Sequence, residues 1–290
     1  MSSIRLMRTF AAVASEGSFA AASARVALTQ AAVGQQMRTL ESDLRRPLFE
    51  RQGKAVVLNE AGRALVPQVR RLLALYDQML APAGAPDGMA GTVHLGAIVS
   101  AVRPLIQATL ALKARHAALD LHVSAAKSIE LVERVQDGEL DAAVVVRETA
   151  SARSALAWTP LYAEPMVLLL PRKVPEAAPR ALLQSHPFIR FDPSQHTGRL
   201  VERTLRRLRA RPQEFLELNA LETMVELVRS GLGITLVPLL RGARWASDPK
   251  LRVLEIPQAE ERRMALVQRR DAAKASLLSA VAREFQAHLP

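Results

Sequence analysis

The 290-residue chain contains no cysteine. Thiolate zinc sites, cysteine nucleophiles and thiol redox sensors are therefore excluded, and a reducing compartment fits. At this length a chain buries a core without a disulfide or metal staple. Long apolar runs are also missing: stretches such as Met166–Leu170 fall far short of the roughly 20 residues a membrane helix needs. Met1–Arg8 opens no apolar stretch ending in a cleavage site, so no secretory signal is expected. These absences point to a soluble, cytoplasmic protein with no membrane association.

Lysine is scarce, with six among the 39 basic residues. The formal net charge of +11 therefore has two readings. One is an anionic partner such as nucleic acid. The other is the Arg- and Ala-rich composition that a GC-rich genome imposes. Distribution favours the first reading for one region. Residues 1–80 carry 11 basic and 6 acidic side chains, and residues 81–290 carry 28 and 22. The excess is about twice as dense in the short first part.

Residues 81–91 hold five Pro or Gly in eleven positions and no apolar periodicity, the mark of a flexible hinge. Before it, helical patterns dominate: Ile4–Glu16, a second helix capped by Ser18, and a third capped by Thr29. In the third, Val33, Met37, Leu40 and Leu44 recur at helical spacing. A short basic segment of β character follows over Leu48–Leu58, and Asn59 is placed to cap a long helix to about Leu80. After the hinge, strand and helix patterns alternate, and runs such as Ala142–Val146 read as strands buried on both faces.

Two short helices joined by a tight turn, the second amphipathic, describe a helix-turn-helix. The face opposite the apolar stripe holds Ala31, Gln35 and Arg38, with Gly34 beside it and Gln30 in the first turn. Gln pairs with adenine, Arg with guanine or phosphate, and an Ala methyl with thymine. Periodicity alone also fits an ordinary surface helix. Gly53 permits a turn between Arg51 and Lys54, which suits a wing tip contacting phosphate or the minor groove; a solvated hairpin is the plainer alternative.

The residues themselves go further. Phe10–Ser23, Val26, Leu28–Gln30, Val33–Glu41, Leu44, Leu48–Arg51 and Leu58–Gly62 resemble the N-terminal domain of LysR-type transcriptional regulators, nearly gap-free over some sixty residues. The resemblance implies a winged helix-turn-helix with its recognition helix from about Thr29 to Glu41. The implied DNA-binding residues are Thr29, Gln30, Ala31, Gly34, Gln35, Arg38, Arg51 and Lys54. Three positions depart from the family pattern: Ala31 replaces Pro, Gly34 replaces Ser, and Asn59 replaces Thr. Gly34 gives up about 1 kcal/mol of helix propensity relative to Ala.

Leu65, Val69, Leu72, Tyr76 and Met79, spaced 4, 3, 4 and 3, form an a/d seam about two heptads long. The stripe packs either on a second copy or on the protein's own core. The resemblance implies a linker helix forming an antiparallel dimer, assembled further into a homotetramer, with RNA polymerase as a further contact.

The second part is similar to the effector domain of the same family, carried by Gly138–Val145, Leu161–Leu168 and Leu227–Pro238. That likeness implies a type 2 periplasmic-binding-protein fold of two subdomains, joined by crossovers near Tyr162–Val167 and Met264–Gln268. Ser100 and Ser128 each precede or open a helix at the carboxyl end of a strand, where free amides attract anions; a plain capping role suits each equally. The implied cleft residues are Ser100, Ser128, Arg147, Phe191, Ser194, Leu221 and Thr223. Arg199–Arg211 contains six Arg, which reads as a solvated face or as a surface for an acidic oligomer partner.

Nothing suggests an enzyme. Gly231-x-Gly233 lacks the third glycine of a dinucleotide fingerprint, no phosphate-binding loop or Gly-x-Ser-x-Gly elbow occurs, and the six His residues show no metal-ligand spacing. No catalytic residue, cofactor or metal is assigned.

The expected organisation is a mainly helical winged domain over 1–58, a linker helix over 59–80, a hinge over 81–91 and an α/β effector domain over 92–290. Within the last, subdomain I spans about 92–161 and 269–290, and subdomain II about 162–268. The expected function is a regulator that binds double-stranded DNA as an oligomer and responds to a small, anionic molecule. A solute-binding protein and a ligand-independent DNA binder are the alternatives.

Overall fold

The computed structural model describes residues 3–52, 55–80, 89–147, 155–257, 259–272 and 274–289. Four helices and a hairpin form the first unit: α1 (Ser3–Glu16), α2 (Phe19–Arg25), α3 (Gln30–Leu44), β1 (Phe49–Gln52), β2 (Ala55–Leu58) and α4 (Glu60–Leu80). Its core gathers Leu6, Phe10 and Val13 of α1, Val33, Met37 and Leu40 of α3, Leu48, and Leu65 and Val69 of α4. The side-chain oxygens of Ser18 and Thr29 accept from Ala21 and Ala32 N–H, capping α2 and α3.

Asn59 does more than cap. Its Oδ1 accepts from Gly62 N–H at 2.9 Å, and its Nδ2 donates to the Pro47 carbonyl at 3.1 Å. The amide thus ties α4 to the entry of the wing. Gly62 lets this contact close, since a Cβ there would sit 2.2 Å from the Leu48 carbonyl oxygen.

The α/β unit comprises β3 (Gly91–Ala97), α5 (Val99–Arg115), β4 (Leu119–Ala125), α6 (Ser128–Gln136), β5 (Ala142–Val146), β6 (Leu156–Pro171), α7 (Pro179–Ser185), β7 (Pro187–Phe191), α8 (His196–Leu208), β8 (Gln213–Leu218), α9 (Leu221–Arg229), β9 (Ile234–Pro238), β10 (Leu251–Glu255), β11 (Glu261–Arg269) and α10 (Ala275–Ala287). Strand order is β4-β3-β5-β11-β6-β9-β7-β8, with β10 also on β6. Within each lobe the βαβ strands pair in parallel, β3 with β4 and β5, and β7 with β8 and β9. Antiparallel β11 and β6 join the lobes.

Strand β6 is the longest at 16 residues. Its first half pairs with β11 in the first lobe, and Met166 onward pairs with β9 and β10 in the second. Strand β11 pairs along Met264–Gln268 with β5 and along its whole length with β6. The chain has therefore returned to the first lobe before Met264, so the second crossover precedes the apolar stretch at Met264–Gln268 where it was expected. The charged residues Glu260–Arg263 hide it from a reading based on apolar runs. Each lobe has its own core: Val93, Leu105, Val144, Leu278 and Phe285 in the first, and Leu168, Phe188, Val201, Val228 and Leu236 in the second.

The linker helix touches the first lobe through Arg70 to Glu139 at 3.3 Å and Arg71 to Asp271 at 3.0 Å. Among the described residues no helix is long and apolar enough to cross a membrane.

Candidate functional site

Helix α3 buries Val33, Gln36, Met37 and Leu40. The same amphipathic turn leaves Thr29, Gln30, Ala31, Gln35 and Arg38 exposed on the outer face, with Gly34 half-buried beside them. Buried Gln36 is held by a hydrogen bond from Thr9 Oγ1 at 2.6 Å, fixing α3 against α1. Arg38 donates to Gln35 Oε1 through Nη2 at 2.8 Å and Nε at 3.3 Å. The pair presents one shared surface in which Gln35 aims the guanidinium. Above Gly34 lies the Phe19 ring, 3.8 Å from where a Cβ would sit, so a side chain fits.

The wing is set by a residue outside the sequence-based expectations. Glu41 Oε1 accepts from the backbone N–H groups of Leu48 and Phe49 at 2.7 and 3.2 Å, pinning the turn between α3 and β1. An acidic residue at the end of an amphipathic helix carries no signal of that role. Arg51 lies on β1 opposite Val56. Lys54 lies outside the described residues.

The linker seam divides. Leu65 and Val69 are buried in the winged unit's own core, because α4 packs on α1. Both were expected at a dimer interface, and neither is open to a partner. Beyond them Leu72 and Met79 are exposed, as are Leu75 and Leu80, and Tyr76 is half-buried.

Between the lobes lies a cleft of about 1260 Å3. Ser100, Ser128, Phe191, Ser194 and Leu221 line it; Arg147 and Thr223 do not. Arg147 follows β5 on the far side of the crossover strands, where a separate cavity lies, and Thr223 is exposed on α9. Residues not expected from sequence also line the cleft: Lys127, Arg241, Arg244, Trp245 and Arg262.

Arg262 organises the cleft floor. It is 3% exposed and faces Glu164, itself 2% exposed, directly across β11 and β6. Its Nε donates to Glu164 Oε2 at 2.7 Å, and its Nη2 donates both to Glu164 and, at 3.2 Å, to Ser100 Oγ. Burial pushes the Glu164 carboxyl up from its ordinary value, with Arg262 opposing. Neighbouring Tyr162 is likewise pushed up by burial, stacks on Phe285, and lies under Arg241 at 5.7 Å.

The hydrogen-bond polarity has a chemical consequence. Guanidinium groups only donate, so Ser100 Oγ accepts from Arg262 and its own O–H is left to donate. Ser128 is in the same position, since its Oγ accepts from Val146 N–H at 3.3 Å. Helices α5 and α6 begin here with no side-chain cap, so their first amides point at the same space. The buried Trp245 indole N–H has no partner among the described residues. The groups at this end of the cleft donate, while Glu130, Glu133 and Glu222 also line the cleft.

Residues 4–63 match the bacterial regulatory helix-turn-helix protein, lysR family, and residues 86–290 match the LysR substrate binding domain. An uncharacterized HTH-type transcriptional regulator of Escherichia coli, YnfL, is 30% identical over 81% of this chain and 82% of its own. A probable hydrogen peroxide-inducible genes activator of Mycobacterium leprae is 31% identical over 80% of this chain and 76% of its own. A full-length OxyR variant from Pseudomonas aeruginosa superposes with a TM-score of 0.75 at 22% identity, covering 99% of this chain and 95% of that one. With a helix-turn-helix unit followed by a bilobed α/β domain, the chain belongs to the LysR family and is a ligand-responsive transcriptional regulator.

Proposed function

We propose that the effector is a small anion whose carboxylate or comparable oxyanion meets the Ser100 and Ser128 hydroxyls. The observation carrying this reading is that both serines accept from fixed protein donors and so present O–H protons to the cleft. The lining carries Arg103, Lys127, Arg229, Arg241, Arg244 and Arg262 against Glu130, Glu133 and Glu222, an excess of positive charge. Relatives are named as hydrogen peroxide-inducible activators, yet this chain has no cysteine. A thiol response is therefore unavailable to it, and a bound molecule is the input. An effector that favours one lobe spacing shifts the protein towards that state. Arg70 and Arg71 would carry the shift to α4 through their pairs with the first lobe.

The protein reads DNA through Gln30, Ala31, Gln35 and Arg38, with Thr29 and Gly34 against the backbone and Arg51 and Lys54 on the wing. It acts as a homodimer or homotetramer through the exposed half of α4, Leu72 to Met79. Contact with RNA polymerase and a cytoplasmic setting follow from that role.

The experiment is a fluorescence titration of a W158F variant, in which Trp245 is the remaining tryptophan. Small carboxylic acids are compared with their neutral methyl esters. Acids should change the emission and esters should not, and Ser100→Ala or Ser128→Ala should weaken binding about tenfold or more, as expected for a hydrogen bond to a charged group. Equal binding of acid and ester would exclude the reading.

A further inference from the structure

A second cavity of about 370 Å3 lies across strand β11 from the cleft. Successive residues of a strand point to opposite faces: Arg262 lines the cleft and Arg263 lines this cavity. Its walls come from both lobes. Arg147 stands at the end of β5 in the first lobe, Arg203 and Arg207 lie one turn apart on α8 in the second, and Arg263 projects from the crossover strand.

Two carboxylates share the space. Glu260 lies 3.6 Å from Arg203 Nε and 3.0 Å from Arg207 Nη2, and Glu261 lies 3.8 Å from Arg263 Nε. Four guanidinium groups against two carboxylates leave two positive charges. They sit at Arg147, which has no ion pair among the described residues, and around Arg263, whose pair is long and 65% exposed on the arginine side. An exposed pair of that kind holds its partners weakly, so Arg263 is free to turn to a ligand.

We propose that this cavity is a second anion site, separate from the effector cleft, which takes a small phosphate-bearing anion with at least two negative charges. Guanidinium forks match phosphate oxygens in pairs, and the two uncompensated charges match a divalent anion. Arginines dominate the polar walls, and Val146, Leu200 and Ala259 complete the lining. Arg147, just after β5 where ligand-binding residues of such sheets stand, lines this cavity and not the cleft. Because Arg147 and the α8 arginines belong to different lobes, a bound anion ties the lobes together, and its affinity is linked to their spacing.

The test is calorimetric titration of the full chain with inorganic pyrophosphate at fixed ionic strength. Three proteins are compared: wild type, R147A/R263A and S100A/S128A. Both exposed arginines lie on the surface, and an unchanged melting curve checks that their loss leaves the fold intact. Wild type should bind saturably, R147A/R263A should bind at least tenfold more weakly, and S100A/S128A should retain the site. Equal affinity in wild type and R147A/R263A would overturn the proposal, as would a loss confined to S100A/S128A, which would place pyrophosphate in the cleft. A third outcome also overturns it: no binding to wild type, with R147A/R263A altering the sedimentation of the protein. That result would make the surface a contact with an acidic face of another chain.

Discussion

Arg262 and Glu164 stand directly opposite each other in antiparallel register on the two strands that join the lobes, Nε 2.7 Å from Oε2, both almost fully buried. Removing one partner leaves a buried charge without compensation, which costs about 3–5 kcal/mol, whereas replacing both by apolar residues of similar size is often neutral. Glu164→Leu should therefore destabilise the effector domain strongly, and the E164L/R262M pair should recover most of the loss. Both tryptophans, Trp158 and Trp245, lie in this domain, so their fluorescence in urea follows it within the full chain.

The double replacement separates stability from sensing. In E164L/R262M, Ser100 Oγ loses the donor that fixes its polarity. Effector affinity in the Trp245 titration should then fall, although the domain remains folded. Wild-type affinity in the double variant would show that Arg262 does not orient Ser100.

Two glycines of the DNA-binding unit should respond in opposite directions. Gly34 has room for a Cβ against the Phe19 ring, so Gly34→Ala should stabilise α3 by up to about 1 kcal/mol. At Gly62 a Cβ would meet the Leu48 carbonyl at 2.2 Å, and Gly62→Ala should lower the melting temperature and loosen the wing. Far-UV circular dichroism of the two full-length variants reads both effects.

Acid should weaken the fold in two steps. Burial holds His94 below its ordinary value. The unfolded chain therefore takes up the proton first as pH drops through about 6.5, and stability falls with it. Asp192 is held low by hydrogen bonds from Ser194 and Gln195, and Asp248 by the Lys250 amide and Arg229. Their contribution is present above about pH 3.9 and is lost as pH falls through their folded values. His94→Gln should flatten the melting temperature between pH 7 and 5.5, and Asp248→Asn should flatten it only below pH 4.

Much of this was legible in the residues. Ala142–Val146 read as a buried strand because it is a continuous apolar run, and Thr29 and Ser18 read as caps because each hydroxyl stands just before a helical pattern. Glu164 and Arg262 were hidden because each lies at the charged end of an apolar run and gains meaning only from a partner 98 positions away. The a/d spacing of Leu65 to Met79 was read correctly as apolar, but spacing cannot say that α1 already covers its first half. Arg147 was expected in the cleft from the family resemblance alone, and it lies just after β5 beside the second cavity instead.

On this reading of the fold, α3 recognises base sequence. Genomic fragments recovered by the purified protein test it most directly, with a Q35A/R38A variant in parallel. The fragments should share a sequence of two half-sites spaced by about 10 base pairs or a multiple. The variant should lose preference at particular bases, by about 1–3 kcal/mol at each. Fragments with no common sequence, or a variant that recovers the same sites with uniformly lower affinity, would contradict it.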